Sequence, residues 1–343
     1  MAKNKNNTTF HDEHFMNIAL QEAAKANHQV YPNPKVGALI VIDDKIISRG
    51  HHKIYGEDHA EANAIKKLDR PITNATLYVT LEPCAHFGKK NPCTDIIKSE
   101  MFNRVVIGTM DPNPKASGGA EILRKKNIEV VENVCSNEAR KLNKRFFTFF
   151  EKKRPYIILK IATTLDGFIA EPDGHSKWIT NEKSRQSVHK LRSTCDAILV
   201  GSNTIKKDDP SLTSHGYGKD PKIIVFGSQN EINNKYKISK ANPIFFAGKK
   251  LGNNYKKNIT YLLNDLYKKS YQSLLVEGGG KTFSSFLDSD LFDEINIYYA
   301  PKFIGSGISL YTGNNSLTKD YKLQLHKVEH FDNNVKMTFY KGI

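Results

Sequence analysis

Cysteine is scarce: four residues in 343, at positions 84, 93, 135 and 195. That count excludes a disulfide framework and favours a reducing compartment, and it leaves one close pair, Cys84 and Cys93, for a metal. Long apolar runs are lacking too. Nothing approaches the ~18 consecutive apolar residues of a membrane helix, so no membrane partner is expected. The basic start, Met1-Ala-Lys-Asn-Lys-Asn-Asn7, has no apolar segment behind it. A secretory signal is therefore not expected, and the chain reads as cytoplasmic. Arginine is thin beside lysine, and no Arg-rich tract or basic helix with interleaved aromatics occurs. The lysines lie scattered among many Asn and Ile, which suits an A/T-rich coding sequence at least as well as a nucleic-acid patch. A Gly-x-Gly-x-x-Gly run is missing, so a Rossmann nucleotide fold is not supported. Internal repeats are missing as well.

The rest of the composition is that of a folded protein. Lys+Arg is 51 and Asp+Glu 36, a net +15, with 39% hydrophobic and 25% charged residues. At ~100–200 residues per domain, the length implies two or three domains. Residues 11–27 carry Phe15, Ile18, Ala19, Ala23 and Ala26 at helical spacing. Runs 36–42 and 45–49, parted by Asp43-Asp44, predict a hairpin. Helices are expected over 60–68, 121–126 and 138–150, and strands over 75–80, 104–108 and 128–131. Strands alternating with helices make this an α/β layered domain. It ends at Lys152-Lys-Arg-Pro155, where proline blocks helix continuation. Domains are therefore expected over 10–150 and 155–343. The second is again α/β, with strands at 156–161, 196–200, 222–226, 243–246, 273–276 and 294–299 and helices at 182–192 and 282–287. Residues 227–270, rich in Asn and Lys, predict surface loops around one or two short strands.

The chemistry of the first half lies in His59-Ala-Glu61 and, after a strand, in Pro83-Cys84 with eight residues between Cys84 and Cys93. One imidazole and two thiolates give Zn²⁺ three protein ligands and leave a tetrahedral position for water. That is the pattern of a catalytic site rather than a closed structural one. Bound zinc lowers the pKa of its water toward ~7. Glu61, two residues from His59, is placed to shuttle protons without ligating the metal. His59 and Cys84 are each expected near a helix N-terminus, whose positive end favours thiolate. His-x-Glu with Pro-Cys-x-x-Cys marks zinc nucleobase deaminases. Here the second spacer is eight residues instead of two.

Further pieces agree: Pro32-Asn-Pro-Lys-Val-Gly37, Gly50-His-His52 and Asp111-Pro-Asn-Pro114. With Pro83-Cys-Ala-His-Phe-Gly-Lys-Lys-Asn-Pro-Cys93, they resemble the deaminase half of the bifunctional riboflavin-biosynthesis deaminase–reductases. The likeness runs from residue 11 or so to the C-terminus. It implies a cytidine-deaminase-like three-layer N-terminal domain and one zinc per chain. The implied reaction is hydrolytic deamination of 2,5-diamino-6-(5-phosphoribosylamino)pyrimidin-4(3H)-one. Glu61 would be catalytic, His59, Cys84 and Cys93 would hold zinc, and Asn33, His52, His86, Lys89, Asp111 and Asn113 would line the substrate pocket. His and Lys suit a phosphate, and Asn and Asp suit a ring edge. Taken alone, Asn33 and Asn113 read equally well as Pro-flanked turn residues. After Asp-Pro-Asn-Pro the family tends to an apolar residue, then Gly, a basic residue and Gly. Lys115-Ala-Ser-Gly-Gly-Ala120 lacks the basic residue and the second glycine.

In the second half, Leu274-Leu-Val-Glu-Gly-Gly-Gly280 is a strand that ends in three glycines and opens onto a helix. Such a backbone suits an anion and, equally, an ordinary strand-to-helix turn. It stands with Lys160-Ile-Ala-Thr-Thr-Leu-Asp-Gly167, Ser176-Lys-Trp-Ile-Thr180, Asp196-Ala-Ile-Leu-Val-Gly201 and Asp208-Asp-Pro-Ser-Leu-Thr213. As a set these are similar to the reductase half of the same family. The resemblance implies a dihydrofolate-reductase-like α/β fold and NADPH reduction of the ribosyl group, giving 5-amino-6-(5-phosphoribitylamino)uracil. It implies substrate contacts from Lys160, Ser176, Arg192, Leu212, His215 and Glu277. It implies NADPH contacts from Ala162, Asp166, Trp178, Thr204, Asp208 and the run Gly279, Gly280, Lys281, Thr282, Phe283, Ser284 and Ser285. Trp178, the single tryptophan, would stack on the cofactor or serve as a core aromatic. His215 stands where the family has a phosphate-binding Arg, and a neutral imidazole grips phosphate less well than guanidinium. Arg192, with Lys219, is therefore expected to take the phosphate.

The partners so implied are small molecules, with no nucleic acid, and a homo-oligomer is compatible with them. Two other readings compete. A tRNA or cytidine-type deaminase with an appended domain draws on the +15 charge but gives the second domain no role. A non-catalytic zinc scaffold, with His86 as fourth ligand, leaves Glu61 without purpose.

Overall fold

A computed structural model describes residues 5–88, 91–227, 232–241, 243–246, 255–313 and 321–342. The chain divides into two compact units between Lys152 and Lys153.

The first unit is built on one sheet. Its strands are β1 (Gly37–Ile42), β2 (Lys45–His51), β3 (Ala75–Val79), β4 (Phe102–Ile107) and β5 (Glu129–Val131), in the order β2-β1-β3-β4-β5. β1 runs antiparallel to β2 and β3, while β3, β4 and β5 are parallel. The β1–β2 turn falls on Asp43-Asp44, both at positive φ (46° and 61°), as a tight hairpin requires.

Successive side chains leave opposite faces of a strand, so the sheet needs a cover on both sides. Ala38, Ile40, Leu77, Val79, Val105 and Ile107 pack on one face. Their cover comes from α2 (Ala60–Ile65), α4 (Gly119–Lys125) and Ile97, next after α3 (Cys93–Ile96). Leu39, Val41, Tyr78 and Val106 pack on the other, against Phe15, Met16 and Ala19 of α1 (Lys5–Ala24). The three layers match the cytidine-deaminase-like expectation. α2 rides on β2 at Gly50, where a Cβ would stand 2.3 Å from the Ala60 carbonyl oxygen and 2.4 Å from the Ala64 nitrogen. The helix expected over 138–150 is two, α5 (Ser136–Leu142) and α6 (Lys144–Lys152). They part at Asn143, whose side chain is engaged elsewhere: it accepts from Lys35 N and donates to Lys35 O, both at 2.8 Å.

The second unit opens with β6 (Tyr156–Thr164), β7 (Phe168–Ala170), α7 (Glu182–Ser193), β8 (Ala197–Gly201), α8 (Ser202–Asp208), β9 (Lys222–Phe226) and β10 (Ile244–Phe246). It continues with α9 (Tyr255–Lys268), β11 (Ser273–Val276), α10 (Gly280–Asp288), β12 (Glu294–Ala300), β13 (Ile308–Ser309), β14 (Leu323–Phe331) and β15 (Asn334–Lys341). Eight strands form one sheet in the order β10-β9-β8-β11-β6-β12-β15-β14, and β13 pairs with β7 apart from it. The sheet is parallel from β10 to β12 and antiparallel through β15 and β14. Ile157, Leu159, Leu199 and Val276 face α9 and α10. Ile158, Ile198, Val200 and Leu275 face Ile205, Leu212 and Ile238.

One sequence expectation fails here, and one hairpin was not read at all. The loops expected over 227–270 contain α9, whose Ile259, Leu262, Leu263 and Leu266 are buried at i, i+3, i+4 and i+7. Its Lys- and Asn-rich outer face conceals that stripe in the composition. The β14–β15 hairpin was not anticipated, although Val335, Met337 and Phe339 alternate along β15; β14 is mostly exposed, and a bulge between Leu325 and Lys327 interrupts its alternation. Among the described residues, no helix is long and apolar enough to cross a membrane.

Candidate active sites

In the first unit, His59 is the N-cap of α2, and Glu61 lies in its first turn. Glu61 is thereby fixed beside His59, with its side chain buried. Cys93 opens α3, whereas Cys84 sits in the loop beyond β3. The helix start expected at Cys84 therefore belongs to Cys93, because the eight-residue spacer lets the chain turn before helix forms. The Cys93 N–H donates to Cys84 Sγ at 3.3 Å. His59 Nδ1 lies 3.2 Å from Cys93 Sγ and 3.5 Å from Cys84 Sγ, and all three atoms lie within 4.8 Å of one another.

A tetrahedral zinc ion, ~2.0 Å from nitrogen and ~2.3 Å from sulfur, spaces N and S by about 3.5 Å. The donor set and its spacing fit zinc. Among the described residues His86 is not part of this group, so the fourth ligand that a closed scaffold needs is not supplied. The hydrogen bond between Cys93 and Cys84, with the nearby His59, holds the Cys84 thiol down and pushes Cys93 up, so the pair favours its thiolate on Cys84. Burial pushes the Glu61 carboxyl up, toward its proton-holding form.

A cavity of about 450 Å³ opens beside this cluster. On its wall stand His59, Glu61 and Cys84, together with Asn33, His52, His86, Asp111 and Asn113. Cys93 is buried outside that lining. Lys89, the remaining expected residue, lies outside the described residues. Asn33 Nδ2 meets His52 Nε2 at 3.2 Å, and His52 Nδ1 meets the Asp58 carbonyl at 3.0 Å. Burial holds His52 below its usual value, hence neutral. Asp111 Oδ1 accepts Asn113 N at 2.8 Å, and Asn113 Oδ1 accepts Lys115 N at 3.1 Å. Asn113 is thus a turn residue and a pocket residue at once. Burial pushes the Asp111 carboxyl up to about 7.

Glu82 also stands on this wall, and the sequence reading passed over it. Its signal was an acidic residue between a buried strand and Pro83-Cys84. It accepts main-chain N–H groups from the loop 111–120, the segment that departs from the family pattern.

In the second unit a cavity of about 800 Å³ gathers Lys160, Ser176, Arg192, Leu212, His215 and Glu277. Ala162, Trp178, Thr204, Asp208, Gly279, Gly280, Lys281, Thr282 and Ser285 join them. Three expected residues do not line it. Phe283 packs into the core, Ser284 Oγ accepts Thr312 N at 2.9 Å, and Asp166 accepts the N–H groups of Ile304 and Gly305 at 3.0 and 2.8 Å.

The cavity floor is charged. Arg192 clamps Glu277 with Nε at 2.8 Å and Nη2 at 3.0 Å, and its Nη1 donates to Thr213 O at 3.1 Å. Lys160 Nζ lies 3.8 Å from the same carboxylate. Burial works to raise Glu277, but Arg192 and Lys160 outweigh it and hold the carboxyl down at about 2. Burial pushes Lys160 down. Arg192 is therefore largely committed within the protein, which leaves less of it for the phosphate. Lys219 is not on the wall, and His215 stacks on His189 at 4.0 Å. Trp178 is 63% exposed, with the Arg185 guanidinium 4.4 Å over its ring, so it is no core aromatic. Arg185, Val188, His189 and Arg192 form an i, i+3, i+4, i+7 stripe on α7 along the cavity. A search for apolar spacing alone passes over such a polar stripe.

The glycines suit a ligand that needs close approach to backbone. Gly279 N donates to Thr204 Oγ1 at 3.1 Å, and a Cβ at Gly278 would stand 2.5 Å from Thr282 Cβ. The turn thus brings Gly278, Gly279 and Gly280 to the cavity wall beside Thr204, Lys281 and Thr282.

Comparison with known proteins agrees with both halves. The cytidine and deoxycytidylate deaminase zinc-binding region matches residues 10–109, and the RibD C-terminal domain matches residues 155–337. The riboflavin biosynthesis protein RibD of Aquifex aeolicus is 40% identical over 348 residues, spanning 96% of this chain and 98% of the relative. The Escherichia coli RibD is 33% identical, spanning 93% and 96%. A solved structure from Thermotoga maritima, a diaminohydroxyphosphoribosylaminopyrimidine deaminase/5-amino-6-(5-phosphoribosylamino)uracil reductase, is similar with a TM-score of 0.83 at 37% identity. It covers 98% of this chain and all of that one.

Proposed function

The chain belongs to the RibD family of bifunctional riboflavin-biosynthesis deaminase–reductases, and from that premise we propose how its residues divide the work. The substrate is 2,5-diamino-6-(5-phosphoribosylamino)pyrimidin-4(3H)-one. Zinc, when held by His59, Cys84 and Cys93, supplies Lewis-acid activation of a water molecule. At the ring carbon bearing the 2-amino group, a C–O bond forms and the C–N bond breaks, releasing ammonia. Glu61 takes the proton from the incoming water as a carboxylate and returns it to the leaving nitrogen as the acid, and its burial in the first turn of α2 beside His59 fixes it for both. Asp111, Asn113 and the Asn33–His52 pair read the edge of the ring, and His86 lies on the same wall.

The deaminated product is then reduced in the second cavity. NADPH, if bound along Thr204 and the glycine turn at Gly279–Gly280, would supply hydride to the ribosyl C1′, where a C–H bond forms as the C1′–O4′ bond breaks and O4′ takes up a proton. Lys160, a buried ammonium pushed toward giving up its proton, is the proton donor on that wall, and Glu277 orients it. The phosphate lies against His215, with the Arg192 charge on the same wall although each of its nitrogens already donates within the protein. The partners are these small molecules and not nucleic acid, and the compartment is the cytoplasm.

The observation that carries this reading is the meeting of His59 Nδ1 and two cysteine sulfurs beside buried Glu61, at the wall of one cavity that His59, Glu61 and Cys84 line. Glu61→Gln tests it. Zinc should stay near one per chain, ammonia release should fall by at least ~100-fold, and reduction of the deaminated product should be unchanged. Near-normal ammonia release would overturn the assignment.

A further inference from the structure

Glu82 is 4% exposed, and its carboxylate gathers three main-chain donors. Asp111 N reaches Oε2 at 3.2 Å, and Gly118 N and Ala120 N both reach Oε1 at 3.1 Å. Two main-chain bonds join the same segments, Glu82 N to Thr109 O at 2.9 Å and Ala85 N to Ala116 O at 3.0 Å. Gly119 approaches so closely that a Cβ there would stand 1.8 Å from Pro83 O. Gly118 lies at φ 97°, a left-handed conformation that glycine adopts without strain. The segment 82–85 holds Cys84, and the loop 111–120 holds Asp111 and Asn113. The two are closed on one another along their length.

We propose that Glu82 is a positioning residue for the deamination step, fixing Asp111 and Asn113 at a set depth from the metal ligands. This rests on the reading that Asp111 and Asn113 recognise the pyrimidine. The chemistry favours a carboxylate at this place. All three partners are donors, and an ionised acceptor makes stronger bonds than a neutral one. A buried carboxylate also needs its lone pairs filled, so the loop and the residue hold each other. An amide has one acceptor oxygen. Glu82→Gln can serve Gly118 and Ala120 with that oxygen, but its NH₂ then faces the Asp111 N–H, donor against donor. The Asp111 end of the loop is released while the α4 end stays pinned. The two glycines explain how Ser117-Gly-Gly-Ala120 closes this loop without the family's basic residue: Gly118 supplies the turn, and Gly119 admits the carbonyl of Pro83.

The test measures deaminase KM and kcat, zinc per chain and reductase activity on the deaminated product, for the full chain. Glu82→Gln should raise the deaminase KM about tenfold, the cost of one charged hydrogen bond. Its kcat should stay within about threefold, with zinc near one per chain and an unchanged reductase. A general loss of structure would instead lower kcat and zinc together, and that result, or a wild-type KM, overturns the proposal. If Glu82→Gln does not fold, Glu82→Asp decides, since it keeps both acceptor oxygens but one carbon short. A raised KM at full zinc supports the role, and a wild-type KM overturns it. Asp111→Ala is measured alongside. If its KM is unchanged, the recognition reading fails and the proposal with it. If its KM rises while both Glu82 variants behave as wild type, only the positioning role fails.

Discussion

Glu277 shows how much a single side chain can settle in a buried site. Its side chain is only 9% exposed, and its charge is held by Arg192 and Lys160 together. Removing one partner of such a group strands the others, which typically costs ~3–5 kcal/mol. Glu277→Gln should therefore destabilise the second unit at pH 7. The sign with pH follows from the direction of the shift. The folded carboxyl is held at about 2, below its ordinary 4.5, so its stabilising contribution is full above pH 4.5 and fades as pH falls from 4.5 toward 2. The gap in stability between wild type and Glu277→Gln should close over that window. Trp178, the single tryptophan, stands over Arg185 in this unit and reports its unfolding by fluorescence. A gap that stays constant from pH 7 to 2 would show that Glu277 is not held ionised by these cations. The metal ligands and Glu61 were legible because few residue types bind zinc, and their spacing is short. Glu82 was passed over, since its place before Pro83-Cys84 marks it but its partners are main-chain N–H groups from a loop 29 to 38 residues away.

At the scale of elements, the first site depends on how α2 lies on β2. His59 and Glu61 begin that helix, so their position is set by the helix's approach to the sheet at Gly50. Gly50→Ala puts a methyl group within 2.4 Å of backbone atoms of Ala60 and Ala64, which cannot yield as a flexible side chain would. Overpacking of this kind typically costs ~1–3 kcal/mol, and here the strain falls on the helix that carries a metal ligand. Zinc affinity should drop at least ~10-fold by competition with a chelator, and ammonia release should fall with it. Reductase activity on the deaminated product is the internal control and should hold. Unchanged zinc affinity would mean that α2 adjusts freely. The strands were readable in outline because Ala38-Leu39-Ile40-Val41 and Ile157-Ile158-Leu159 are continuous apolar runs, as strands buried on both faces require. α9 was not, although its apolar stripe is regular, because the surrounding Asn and Lys dominate a reading by composition. Asn143 ends α5 through contacts with Lys35, far away in sequence, and nothing in the run 138–150 marks the break.

For the molecule as a whole, one chain holds two chemistries with different needs, and that separation is itself testable. The His59–Cys84–Cys93 set lies in the first unit, and among the described residues it is the group of His, Cys, Asp and Glu close enough to share an ion. The second cavity is lined instead by cations, a buried carboxylate and glycine backbone, a surface for phosphates and hydride transfer rather than for metal. Removal of zinc with a strong chelator should therefore abolish ammonia release, and one equivalent of Zn²⁺ should restore it. NADPH oxidation should persist in the stripped enzyme when the deaminated product is supplied, and vanish when only the diamino substrate is offered. That contrast also fixes the order of the steps, since a reductase that accepted the diamino compound would consume NADPH without zinc. The net charge of +15 gives the competing reading, deamination within a polynucleotide, its place in the same experiment. Added tRNA should not compete with the small substrate at ~0.15 M salt, where scattered lysines bind weakly. Zinc-dependent ammonia release that tRNA inhibits at that salt, or NADPH turnover on the diamino compound in stripped enzyme, would break the division of labour between the two cavities.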